Sequence, residues 1–244
     1  MDTRPKLASP GEPRAFGYQA LGALAVLACL SACNAISPAR MALPEEFSAR
    51  ATVREAHGIG GGTQGTFHLG GMEGSYRRSA SRLEVFDVYD GRSASVDFTF
   101  GSERAACIAK ERQLNFKTLN FSPKPMAYAC TFTGPEMAAA SSLELQESRE
   151  GASGAFGQRQ RLGAMEYPNG QLMIRSVHAI DGSAFEVNLP IGYTFDHDGR
   201  MVGAVEINGG ITLTLDTSES PEVLRSAELA ALALGLLWDT GEYD

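Results

Sequence analysis

Ser220-Pro221-Glu222-Val223-Leu224-Arg225-Ser226-Ala227-Glu228 leads into Leu229-Ala230-Ala231-Leu232-Ala233-Leu234-Gly235-Leu236-Leu237-Trp238, and the reading of this stretch decides the fold. Ser220 is suited to cap a helix N-terminus, and Pro221 to its first turn, where a missing N–H costs nothing. Glu222 places a carboxylate at the positive end of the dipole. The spacing predicts a helix over 221–238. From Leu229 to Trp238 no side chain is polar, so every face of a 3.6-residue wheel is apolar and no stripe is left for water. Such a helix has to be enclosed. The run is about half the roughly 20 residues a bilayer span needs, and Asp239, Glu242 and Asp244 follow it, so the enclosure is expected to be protein.

The enclosing material must come from the preceding residues, which alternate polar and apolar side chains at period two in short runs. They are residues 47–54, 65–69, 74–78, 83–89, 95–100, 114–121, 128–133, 143–147, 163–167, 171–180, 184–189, 192–196, 201–207 and 211–215. Turn formers separate many of them, among them Asp90-Gly91, Ser122-Pro123, Pro168-Asn169-Gly170, His197-Asp198-Gly199 and Asn208-Gly209-Gly210. Residues 102–112 fit either a strand or a helical turn. The pattern predicts about twelve to fourteen antiparallel strands followed by one helix. Leu69-Gly70-Gly71-Met72-Glu73 is echoed by Leu162-Gly163-Ala164-Met165-Glu166, which fits either a duplicated half-barrel or chance similarity among hairpins.

A meander of this length solves its edge problem by closing on itself, and a barrel of about twelve strands is too wide for strand side chains alone to fill. The apolar helix supplies the filling. The fold class expected is therefore mainly β, a closed or nearly closed antiparallel barrel of about twelve strands around a hydrophobic C-terminal helix. In Ala227 to Trp238 and the strand count this order resembles the tubby-like barrels. That resemblance implies a central helix and a basic face for anionic headgroups, for which Arg77, Arg78 and Arg82 are the candidate anion-binding residues. The alternative is a half-open sheet curled over a helix, similar to the lipoprotein carriers of the Gram-negative envelope, with a cavity for acyl chains.

The first 32 residues read as a leader. Arg4, Lys6 and Arg14 form its basic start and Leu21 to Leu30 its apolar segment, and Leu30-Ser31-Ala32-Cys33 follows. This resembles the lipobox of bacterial lipoproteins, which implies lipidation at Cys33 and a membrane anchor that does not cross the bilayer. Asn34 after the cysteine implies, by the habit of that family, the outer membrane facing the periplasm. Residues 33–44 read as a tether, with a single domain over 45–244. Removing the leader from 244 residues leaves 212, with 27 acids and 18 bases of the original 29 and 21, a formal charge of −9. So acidic a body excludes nucleic acid as a partner and broad attraction to anionic lipid. Cys107 and Cys130 remain as one pair in an oxidising compartment and read as a disulfide.

Motifs for chemistry are sparse. Gly58 to Gly65 is glycine-rich, but no Lys follows and a strand comes next, so it reads as a hairpin and not a phosphate loop. Asp196-His197-Asp198-Gly199 lacks the distal ligands of a calcium loop. His57, His68, His178 and His197 have no metal-ligand spacing. No nucleophile elbow is present. The expectation is thus no catalytic residue, no metal and no cofactor. The expected function is a lipid-anchored, non-catalytic binding or structural module that meets an envelope protein. A carrier of an apolar ligand is the alternative, and an envelope hydrolase the weaker one.

Overall fold

The structure, a computed structural model, describes residues 39–85, 89–116, 119–135, 141–150 and 158–237. It is mainly β, a nearly closed antiparallel barrel with one long helix. The strands are β1 (Thr52–Ala56), β2 (Gln64–Leu69), β3 (Met72–Val85), β4 (Tyr89–Phe100), β5 (Glu103–Phe116), β6 (Leu119–Thr133), β7 (Ser141–Glu150), β8 (Gln158–Tyr167), β9 (Gly170–Val177), β10 (Gly192–His197), β11 (Arg200–Glu206) and β12 (Ile211–Leu215). A four-residue helix α1 (Glu45–Ser48) precedes them and α2 (Pro221–Leu236) follows. From β2 to β12 each strand pairs with the next, and β1 returns to pair with β12. The seam between β1 and β2 is joined where the backbones of His57 and His68 exchange two hydrogen bonds of 2.9 Å.

Helix α2 is held inside this wall. Val223 N–H donates to Ser220 Oγ at 3.3 Å, the cap its sequence predicts. Leu229 to Leu234 and Leu236 are all buried, which is what a wheel without a polar stripe requires. The helix lies eccentrically and packs most closely on β11 and β12. Its alanines permit that approach, and so does Gly235, where a Cβ would fall 2.4 Å from Ile211 Cδ1. The wider gap on the other side is filled by Phe67, Phe98, Phe100, Phe132 and Tyr128. The Tyr128 hydroxyl donates to the Ala233 carbonyl at 2.7 Å. Cys107 and Cys130 stand opposite each other on β5 and β6, face inward and form a disulfide.

Several expectations are corrected. Residues 39–44, expected in the tether, belong to the body. Residues 39–51 run down the outside of β10 and β11, and Met41 and Phe47 form a second cluster there with Ile191 and Ala204. Gly192 makes room for Met41, whose sulfur would lie 2.3 Å from any Cβ at that position. Both faces of β10 and β11 are therefore covered, and Gly192 to Phe195 and Val202 to Glu206 are buried without alternation. Residues 47–54, expected as one strand, divide between α1 and β1, because Pro44 and the two glutamates after it start a helical turn that turns Phe47 onto this cluster. Residues 184–189 form no strand. A turn takes their place, in which Phe185 N–H donates to Ser183 Oγ at 3.0 Å. Asp90-Gly91 and Ser122-Pro123 lie within β4 and β6. Pro123 is tolerated where the β5–β6 register shifts, a bulge that spares the missing donor. The Leu69–Glu73 and Leu162–Glu166 echo is not a duplication of structure, since the first is the β2–β3 turn and the second lies inside β8. Residues 1–38 and Trp238 fall outside the described residues.

Asp216 joins the outer segment to the start of α2. Its carboxylate accepts from Arg50 Nε at 2.7 Å and from Ser218 Oγ at 2.6 Å and N–H at 3.1 Å. The Ser218 hydroxyl, with Arg50 beside it, holds the Asp216 pKa at about 2. A carboxylate lowered in the folded state contributes stability that is complete above its unfolded pKa and is lost as pH falls towards 2. At the barrel rim this is on the order of 1–2 kcal/mol after solvent screening. Urea unfolding of Asp216→Asn is expected to show that loss at neutral pH and a flatter decline between pH 5 and pH 2. An acid limb identical to the parent's would show that Asp216 does not carry it. Leu232→Asp, which buries a charge inside the barrel, is expected to abolish the cooperative thermal transition seen by circular dichroism.

Candidate functional site

The strands on one side of the barrel are long, 14 residues in β3 and β5 and 15 in β6. They carry inward positions past the C-terminal end of α2. There the alternation that places Ala105, Cys107 and Ala109 inside places Glu111 inside, and Leu143 and Leu145 are followed by Glu147. Arg92 stands opposite Glu111 on β4 and β5, and Glu147 opposite Arg161 on β7 and β8. All four are buried.

These charges form a layer across the lumen. Arg159 Nε donates to Glu147 Oε1 at 2.9 Å and its Nη2 to Glu111 Oε1 at 3.3 Å. Arg161 Nε donates to Glu147 Oε2 at 3.2 Å and its Nη1 to the Tyr193 hydroxyl at 2.9 Å. Each Glu147 oxygen thus receives a different guanidinium. The layer continues through Ser176, whose Oγ accepts from Arg161 N–H at 2.9 Å and lies 3.0 Å from His178 Nε2. His178 Nδ1 is 2.9 Å from the Val187 carbonyl. Burial lowers the His178 pKa, so the neutral imidazole donates from Nδ1 to Val187 and accepts the Ser176 hydroxyl at Nε2. The hydroxyl and base are in reach of each other, but a backbone carbonyl and not a carboxylate orients the base, and the serine oxygen is already engaged by Arg161.

A second network closes the opposite end around the start of α2. Arg225 pairs with Glu103 of β5 and with Glu228 at 3.2 Å, donates to the Phe100 carbonyl at 2.8 Å, and lies 4.4 Å over the Phe100 ring. Arg54 of β1 reaches Glu228 at 2.5 Å. Between the two networks the lumen is apolar and occupied by α2.

The residues expected to form an anion site are not brought together. Arg77 is exposed on the outer face of β3, while Arg78 is buried. Arg78 donates to the carbonyls of Gly60 and Gly62, with Gly62 at 3.0 Å, and fastens the glycine-rich segment over the barrel end. The Arg82 side chain and Cys33 lie outside the described residues. His57 and His68 serve the seam, Asp196 and His197 end β10, and Asp198 and Gly199, both at positive φ, form the β10–β11 turn. Among the described residues no group of three or more His, Cys, Asp or Glu side chains is placed to hold a metal ion. Glu111, Glu147, Arg92 and Tyr193 escape a search for motifs. Strand parity was the signal that could have found them. The chain matches no family model, no curated protein and no solved structure.

Glu147→Ala removes the buried carboxylate that buried Arg161 and partly buried Arg159 share, and is expected to cost about 3–5 kcal/mol in urea unfolding. Glu147→Leu combined with Arg161→Met, which withdraws both charges, is expected to recover part of that loss. A loss below about 1 kcal/mol for Glu147→Ala would show the layer to be hydrated and weak.

Proposed function

We propose that this chain is a lipid-anchored protein of the bacterial envelope, held through Cys33 and facing the periplasm from the outer membrane, whose barrel is a non-catalytic binding or structural module. The observation that carries the reading is that α2 is buried on every side within the barrel. The chain's own helix takes the volume a carrier would keep for its ligand, so a partner is met on the outside. The outer face of β3 to β8 supports a body that stands in water. It presents Arg77, Asp97, Arg104, Lys110, Glu144 and Glu166 among serines, alanines and threonines, with exposed Ile108 and Leu162 between them, whereas a bilayer-spanning barrel turns a continuous band of apolar side chains outward. The tubby-like resemblance stays with the order of elements. Its headgroup site is not carried over, because Arg77 and Arg78 lie on opposite faces.

Native mass spectrometry of the mature chain, before and after organic extraction, tests this reading. The expected result is a diacylglyceryl mass on the peptide beginning at Cys33, and a barrel whose mass is that of the polypeptide both times. An added mass on the barrel that extraction removes would favour the carrier, and an unmodified Cys33 would remove the anchor.

A further inference from the structure

The anchored end of the chain enters the body at one defined place. Asn208 Nδ2 donates to the Ala39 carbonyl at 2.8 Å, and Asp181 N–H to the Arg40 carbonyl at 2.8 Å. Met41 N–H donates to buried Glu206 Oε2 at 2.7 Å. Ala39 and Arg40 are thereby fixed beside the β11–β12 turn and the 178–191 connection, both at the barrel end away from the start of α2. Only residues 34–38 separate this point from Cys33. Six Cα steps reach at most about 22 Å when fully extended and about 13 Å on average for a flexible chain. The seven-residue β11 beside this point is about 23 Å long, well beyond the tether's average reach, so the tether favours the barrel end at which the chain enters over the opposite one.

At this same end the chain carries Phe185, which at 82% is the most exposed of the large hydrophobic side chains among the described residues. It is held on a short tip. Ala179 bridges Glu186, Ser183 N–H donates to the Ile180 carbonyl at 3.1 Å, and Phe185 N–H donates to Ser183 Oγ. Residues 181–185 are all exposed, and the other four are small or polar. The charged groups around the tip are Asp181, Glu186 and Arg40, so attraction to an anionic surface does not explain it. An isolated exposed aromatic needs no explanation in general. One fixed on a turn four residues from the tether's docking point stands where a lipid surface must be.

Resting on the anchor at Cys33, we propose that the 178–191 connection is the membrane-facing surface of this protein and that Phe185 inserts into the bilayer interface. The acyl chains hold the protein at the bilayer. Phe185 sets its orientation, with the β3 to β8 wall directed away from the lipid. The occupant is the bilayer that carries the anchor, because the short tether brings that surface within reach before any other.

The test places a tryptophan at the tip. Phe185→Trp is measured against the parent, whose one tryptophan is Trp238, and against Glu73→Trp beside the β2–β3 turn at the opposite end. Each protein is studied in two forms on phosphatidylethanolamine–phosphatidylglycerol vesicles, with and without brominated acyl chains. One form is the mature protein purified from membranes. The other is chain 33–244 coupled through Cys33 to a maleimide lipid, Cys107 and Cys130 being committed to their disulfide. The expected result in both forms is a blue shift and bromolipid quenching for Phe185→Trp, with neither for Glu73→Trp. If the coupled Phe185→Trp protein floats with vesicles yet keeps its aqueous emission unquenched, the proposal is overturned and the anchor stands. Equal quenching at both positions would mean that the barrel lies flat, which also overturns it. A mature protein without acyl mass on Cys33 fails at the anchor itself, and the proposal falls with it, whatever the coupled form shows.

Discussion

A helix without a polar face cannot be left in water, and this constraint organises the molecule. α2 has backbone hydrogen bonds of its own but no side-chain surface that tolerates solvent, so its stability depends on enclosure. A single sheet packed on one side would leave half of it wet. Twelve strands in sequential order surround it, and a meander needs only short turns to do so. The eccentric seat follows from side-chain size. Alanines and Gly235 bring α2 close to β11 and β12, which leaves a wide gap on the far side that only aromatic rings fill. Small residues on the helix and large ones on β3 to β6 are thus two parts of one packing solution.

How much of this was legible depends on whether a feature is written locally. The helix start was, because Ser220, Pro221 and Glu222 each act within one turn. So were the hairpin at Asp198-Gly199, where positive φ is required, and the disulfide, since only two cysteines remained to pair. Strand lengths were not. Asp90-Gly91 and Ser122-Pro123 look like turns, yet pairing on both sides keeps them in strands, and a bulge absorbs the proline. The outer segment was illegible for a different reason. Met41, Leu43 and Phe47 show no period because they pack one at a time on a surface made elsewhere, and only the unbroken burial of β10 and β11 reveals that something covers them.

The charged layer was hidden by the rule that found the strands. A search for apolar alternation stops at the first inward charge, so the run 143–147 ended on Glu147, and Glu111 fell within residues 102–112, which fitted either a strand or a helical turn. Their cost is real, since buried ion pairs lose hydration that their mutual attraction only partly restores. What they supply is register. A strand displaced by one residue turns its whole inward set to solvent. Arg92 opposite Glu111 and Glu147 opposite Arg161 would then lose their partners while Leu143 and Leu145 became exposed. Paired charges above α2 and the Arg225–Glu103–Glu228–Arg54 network below it make such a slip costly at both ends of the longest strands.

A filled lumen also limits where function can lie. Among the described residues α2 occupies the lumen between the two charged networks, and it is fixed at its start by ion pairs to β1 and β5 and near its end by Tyr128. Withdrawing it would expose an apolar surface on all sides while breaking buried charge pairs. The cost of either change is large compared with the 5–15 kcal/mol that typically holds a domain together. The binding role proposed for the barrel therefore falls to its outside. That outside is not uniform, because residues 39–51 already cover β10 and β11. The wall from β3 to β8, polar apart from exposed Ile108 and Leu162, is the part of the barrel left open to a partner.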